Sequence, residues 1–152
     1  MKSTTYIKIA AFCLLIFIWD IVLIHFRELP VQIPVHFNLN GTPDGFGPKN
    51  VIWIFAGIST TVHLFMLYIS NIREDLIEKS ARPLPALQRS VSFLNYTNLL
   101  VMLVFAGITY EVISIALERK PVLQPYTIYA FMILSSLSIG AFLLWQLKYK
   151  KR

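Results

Sequence analysis

Apolar and polar residues are segregated along most of this chain: long apolar runs are separated by short polar segments. Four runs stand out, at about residues 5–26, 51–70, 91–117 and 126–147. At 1.5 Å per residue, a helix of about 20 apolar residues crosses a ~30 Å hydrocarbon core. The pattern therefore predicts an all-α membrane protein, a single domain over residues 1–152 with four transmembrane helices. The first run contains Lys8 and Asp20 and is followed by no small-residue cleavage site, which predicts a retained signal-anchor helix. The fourth carries Ser135, Ser136, Ser138 and Gly140, small residues suited to close helix packing.

The segment 27–50 follows a different rule. From Val31 to Leu39 the odd positions are Val31, Ile33, Val35, Phe37 and Leu39, and the even ones are Gln32, Pro34, His36 and Asn38. Period-two alternation puts the apolar set on one face and His36, Asn38 and Asn40 on the other. Asn40-Gly41 and Pro43-Asp44-Gly45 add turn chemistry. The reading is a short β-like ordered loop, one strand ending in a tight turn, with its apolar face on the helix ends or the lipid interface. A plain connector between two spans needs only a few residues, so a segment this long and this ordered points to function.

Composition supports the membrane reading. Only 14% of residues are charged and 56% are hydrophobic, with a mean hydropathy of +0.61, against roughly 25% charged in soluble domains. Cys13 has no second cysteine to pair with and reads as a small apolar helix residue. The net charge of +6 lies in clusters between apolar runs, not on one basic face, so it sets orientation and does not bind nucleic acid. Lys2, Lys8, Arg73, Lys79, Arg82, Arg89, Lys148, Lys150, Lys151 and Arg152 fall on one side; Arg27, Lys49, Arg119 and Lys120 fall on the other. The positive-inside rule then gives a multi-pass cell-membrane protein with both termini cytoplasmic and residues 27–50 outside. Trp19, Trp53, Tyr110, Tyr126 and Tyr129 mark the outer interface, and Trp145 and Tyr149 the inner one. In the cytoplasmic loop, Asp75 and Lys79 have helical ion-pair spacing before Arg82-Pro83-Leu84-Pro85 breaks the helix.

Ionisable residues inside a membrane span are costly and need a reason. Asp20, His63 and Glu111 are the intramembrane candidates. An outward pocket of Asp20, His25, Glu111, His36 and Asp44 could hold a divalent metal, relay protons or bind a cationic group. Asp20 and His25, however, are five apart, about 140° around a helix, and share no face. No dense ligand motif is present, so neither metal nor cofactor is expected. His63, with Thr60 three residues away to face the same neighbour, reads as an interhelical hydrogen-bonding residue, as do Asn95 and Asn98. Asn40-Gly41-Thr42 matches the glycosylation acceptor pattern, which acts only in a secretory eukaryotic cell.

The run Leu29-Pro30, Ile33-Pro34, His36-Phe37-Asn38, Gly41, Asp44-Gly45 and Lys49 resembles the signature of a bacterial membrane domain of unknown function. That domain forms the N-terminal part of SdpI-like immunity proteins. The resemblance covers this loop closely and the flanking helices by hydropathy. It implies a multi-pass plasma-membrane protein in a family where one member protects its producer from a secreted peptide toxin and holds a repressor at the membrane. No catalytic residue carries over.

Together these readings give a non-enzymatic, lipid-embedded immunity or sensing module that recognises a peptide or envelope ligand outside. The ligand-binding candidates are His36, Asn38, Asn40, Asp44 and Lys49, and the basic second loop and tail are available to a cytoplasmic protein partner. One alternative is a membrane-embedded metal-dependent enzyme or proton-linked transporter using Asp20, Glu111, His25 and His36. Another is an accessory subunit of a membrane complex.

Overall fold

The structure, a computed structural model, describes residues 2–80 and 85–123, together with Tyr129, Ile133 and Ser136. In chain order these form α1 (Lys2–His25), β1 (Gln32–Phe37), β2 (Pro43–Pro48), α2 (Val51–Glu78) and α3 (Pro85–Ala116). The segments Thr4–His25, Val51–Glu78 and Leu87–Ala116 are long and apolar enough to cross a membrane. Among the described residues the fold is therefore mostly helical, with three candidate spans and one small sheet, where the sequence predicts four spans. The fourth apolar run, 126–147, lies outside the described residues except for the three named above, and so does the 81–84 break.

Both loop-side helix ends extend beyond the apolar runs. α2 continues eight residues past position 70 to Glu78, and α3 starts at Pro85 instead of near Val91. Hydropathy marks where lipid contact stops, whereas Leu, Glu and Arg continue to favour helix after that point. Lys79 Nζ lies 2.7 Å from Asp75 Oδ2, the predicted one-turn pair, and that contact raises the Lys79 pKa.

The helices bury two apolar layers. Ala11, Leu15 and Ile18 of α1 meet Ala56 of α2 and Met102 and Ala106 of α3. Nearer the hairpin, Ile21, Val22, Leu29 and Ile52 meet Val112, Ile113 and Ala116, and Ile33 of β1 joins them. Phe12, Ile16, Leu23, Ile54, Leu64 and Phe65 remain exposed on the outside of the bundle. Such apolar exposure suits lipid, which solvates these side chains as well as a core does.

Strands β1 and β2 pair antiparallel, with Gln32 opposite Pro48, Pro34 opposite Phe46 and Phe37 opposite Pro43. The expectation of one strand and a turn is thus corrected to a two-stranded hairpin. Pro-Asp-Gly-Phe-Gly-Pro reads as turn chemistry, but a lone ribbon has no central strand, and prolines are tolerated on edge strands. Gly45 allows the close pairing: a Cβ there would stand 2.9 Å from the His36 Cβ. The turn is closed by Asn38, whose Oδ1 accepts from the Asn40 and Thr42 amides at 2.9 and 3.0 Å.

The predicted apolar face is also corrected. Register irregularities flank His36, so the alternation fails there. Ile33 and Pro34 are both buried, Phe37 is half-buried, and Val31, Val35 and Leu39 are exposed. Ile33 alone of the five is fully seated in the core, at 1% exposure.

Candidate functional site

The hairpin stands over the ends of the helices on an aromatic base. Phe26 and Trp53 have ring centroids 4.9 Å apart, and Trp19 lies 6.1 Å from Trp53. Lys49 Nζ donates to the carbonyl oxygens of Phe26 and Leu29, both at 3.2 Å, and sits 4.9 Å above the Phe26 ring. Lys49 thereby satisfies carbonyls just past α1 that have no helical donor. Of the ligand-binding candidates, Lys49 and Asn38 therefore hold the hairpin together. Asn40 is exposed beside the turn. His36 and Asp44 bracket the turn and pair across it, Nδ1 to Oδ1 at 2.5 Å, both exposed.

The five-residue pocket is not assembled. His25 pairs with Glu28 at 3.0 Å, and Glu28 lies 3.7 Å from Arg119. Asp20 is exposed on the side of α1. Glu111 is 3% exposed, and its Oε1 receives Lys120 Nζ at 2.9 Å. Its Oε2 has no hydrogen-bond partner among the described residues. Of the five only His36 and Asp44 are paired with each other, and the described residues hold no group of three or more His, Cys, Asp or Glu able to bind a metal.

A groove of about 500 Å³ opens between the hairpin and the end of α3. Its lining is Pro30, Gln32, Pro34, Pro43, Phe46, Ile115, Ala116, Glu118, Lys120 and Pro121. The α3 wall is built by a paired C-terminal turn. The Arg119 amide donates to the Ser114 carbonyl and the Glu118 amide to the Ile115 carbonyl, both at 2.9 Å. This motif places one residue in the left-handed region, usually glycine. Here it is Glu118, at φ 57°, a conformation costing about 1–2 kcal/mol in a residue with a Cβ. Beyond it, Lys120 turns back to Glu111 and lies 4.9 Å above the Tyr110 ring. Leu123 N–H donates to the Gly41 carbonyl at 2.8 Å, tying the segment after α3 to the hairpin turn.

A second polar set lies inside the bundle. His63 is fully buried, with Nδ1 3.2–3.3 Å from the Asn98 amide group and its ring 6.3 Å from Phe12. Ser70 Oγ donates to Asn95 Oδ1 at 2.8 Å. These contacts join α2 to α3 as expected for His63, Asn95 and Asn98. Thr60 instead faces α1, accepting from Trp19 Nε1 at 3.0 Å. Lys8 crosses to α2, its Nζ at 2.8 Å from both Glu74 Oε2 and Asn71 Oδ1. Because Lys8 and Glu74 are part-exposed, a double-mutant cycle of Lys8→Met with Glu74→Gln should return a coupling of about 0.5–1 kcal/mol by thermal unfolding.

The groove residues Glu118 and Gln32 do not stand out in the sequence. Glu118 reads as a loop charge, and only the fold shows it in a glycine's position.

Comparison with known proteins covers one wall of this site. Residues 11–60 match the family described as "Domain of unknown function (DUF1648)". The match takes in most of α1, the whole hairpin and the start of α2. Over 62 residues the chain is 29% identical to a protein of Archaeoglobus fulgidus described as "Uncharacterized protein". That alignment covers 41% of this chain and 34% of the relative, so the chain spans about a third of the length of the curated relative it matches. No solved structure matches. The matched domain contains the hairpin wall of the groove, while the α3 wall lies beyond it.

Proposed function

We propose that this protein is a non-enzymatic, multi-pass membrane module that recognises a peptide or envelope ligand in the groove between the hairpin and the end of α3. The observation that carries this reading is the groove: a volume of about 500 Å³, large enough for several side chains. One of its walls is an ordered hairpin far longer than a connector requires. In this reading the apolar run 126–147 makes a fourth span, and the Lys and Arg distribution puts both termini inside and the groove outside. The resemblance of the hairpin sequence to the N-terminal domain of SdpI-like immunity proteins supports an immunity or sensing role, with the basic cytoplasmic segments available to a partner.

Complementation of a deletion strain tests the reading. Phe46→Asp, which puts a charge into an exposed groove wall, should abolish whatever phenotype the wild-type gene restores. Asp20→Asn should leave it intact. The reverse pattern would move the function to the intramembrane carboxylates and favour a proton-linked transporter. Orientation is checked separately, in a Cys13→Ser background carrying Asn40→Cys. An impermeant maleimide should label that cysteine from outside intact cells, and labelling only after lysis would overturn the topology.

A further inference from the structure

The groove has a chemical preference that follows from its own residues. Glu118 occupies the left-handed position that ends α3, where glycine fits best. It also places a negative charge beyond a helix C-terminus, the end whose dipole favours cations. Both features work against glutamate, and Glu118 is one of the residues lining the groove. Glu118 forms no ion pair among the described residues. A second carboxylate is joined to the lining through Lys120. Glu111 is buried, and Lys120, which also lines the groove, occupies Oε1, leaving Oε2 without a hydrogen-bond partner among the described residues.

The polarity of the walls points the same way. Prolines have no backbone N–H, so the four in the lining offer no main-chain donor of their own. The one lysine is already engaged by Glu111 and stacked on Tyr110. With Lys120 neutralised by Glu111, Glu118 leaves the lining one positive charge short of neutral, and the prolines leave it poor in main-chain donors. Phe46, Ile115 and the proline rings supply apolar contact around it.

We infer that the groove binds the primary ammonium at the free N-terminus of an extended apolar peptide, with Glu118 as its ion-pairing group. This rests on the recognition reading above and names the chemistry of its ligand. The ammonium brings the missing charge and three N–H donors, and Gln32 offers an amide suited to a peptide backbone.

The test uses the full chain in phosphatidylcholine nanodiscs and the probe Leu-Ala-Leu-Phe amide, with a free or an acetylated N-terminus, in calorimetric titration. The free peptide should bind, and acetylation should weaken it by roughly tenfold or more, as loss of a charged hydrogen bond does. Glu118→Gly should weaken the free peptide by a similar factor while raising the melting temperature. Loss of binding with gain of stability is a combination that a purely structural residue does not give. Equal binding of both peptides, still abolished by Phe46→Asp, would overturn the ammonium assignment and leave groove recognition standing. No binding of either peptide would remove both. Displacement of the peptide when phosphatidylethanolamine is added to the nanodisc would overturn the peptide assignment in favour of a lipid amine.

Discussion

Lys120→Ala should destabilise the protein by about 3 kcal/mol, one of the two largest single-residue effects expected in this fold. Glu111 is almost fully buried near the end of α3, and Lys120 Nζ at 2.9 Å is its hydrogen-bonded cation. Removing one partner of a buried pair leaves a charge without compensation and costs about 3–5 kcal/mol. The lower figure applies because the Lys120 side chain is 23% exposed, so water reaches part of the space it leaves. Exchanging the carboxylate as well, in Lys120→Ala with Glu111→Gln, removes the stranded charge and should recover most of the loss. Thermal unfolding of the purified protein in bilayers reads both. If the single and double variants are equally unstable, the Lys120 stem and its contact with Tyr110 matter more than the charge.

Gly41→Ala should detach the hairpin turn from the segment after α3. Gly41 has φ 77°, and a Cβ there would collide with the Leu123 carbonyl oxygen. The left-handed backbone costs about 1–2 kcal/mol for a residue with a Cβ, and forcing Leu123 away loses the Gly41–Leu123 hydrogen bond, about 1 kcal/mol more. The sum of about 2–3 kcal/mol falls on one local contact. The expected signature is therefore faster hydrogen exchange at the Leu123 amide, with slow exchange retained in α1 and α3. Gly41→Asn separates the two causes, since asparagine tolerates the backbone but brings the same Cβ. Protection of Leu123 in that variant would mean that the collision is relieved by a small shift and that backbone strain alone was at issue.

The two variants also mark what could be read from the sequence. The three helices long and apolar enough to cross a membrane were legible because lipid imposes a simple length and polarity rule, and Ile52, Ile58 and Leu64 obey it. Their ends were less so, because Ile72 to Glu78 leave the apolar register without losing helix propensity. β1 was legible from its alternation, up to the irregularity at His36. β2 was not, since Pro43, Gly45 and Gly47 carry the composition of a turn and form a strand only with β1 as partner. At the candidate site, His36 and Asp44 do come together, eight residues apart around one turn. Lys49 and Asn38 carried the same polar signal, but their partners are backbone groups whose positions only the folded chain defines. The pairing of Lys8 with Glu74, 66 residues away, and the left-handed backbone of Glu118 are tertiary facts with no local cue.

The groove joins two distant parts of the chain: the connection between α1 and α2, and the turn after α3. Among the described residues, the Leu123–Gly41 bond at the hairpin turn links them main chain to main chain. In the proposed reading the two walls would act as jaws with that bond as the pivot, and a ligand held between them would be a second rivet. It would fix the azimuth of α3 relative to α1 and α2, and the far end of α3 at Pro85 would feel that torque across the membrane. On the proposed function, binding at one end of the bundle and its transmission to the other would need no moving part except one rigid helix turning in its seat.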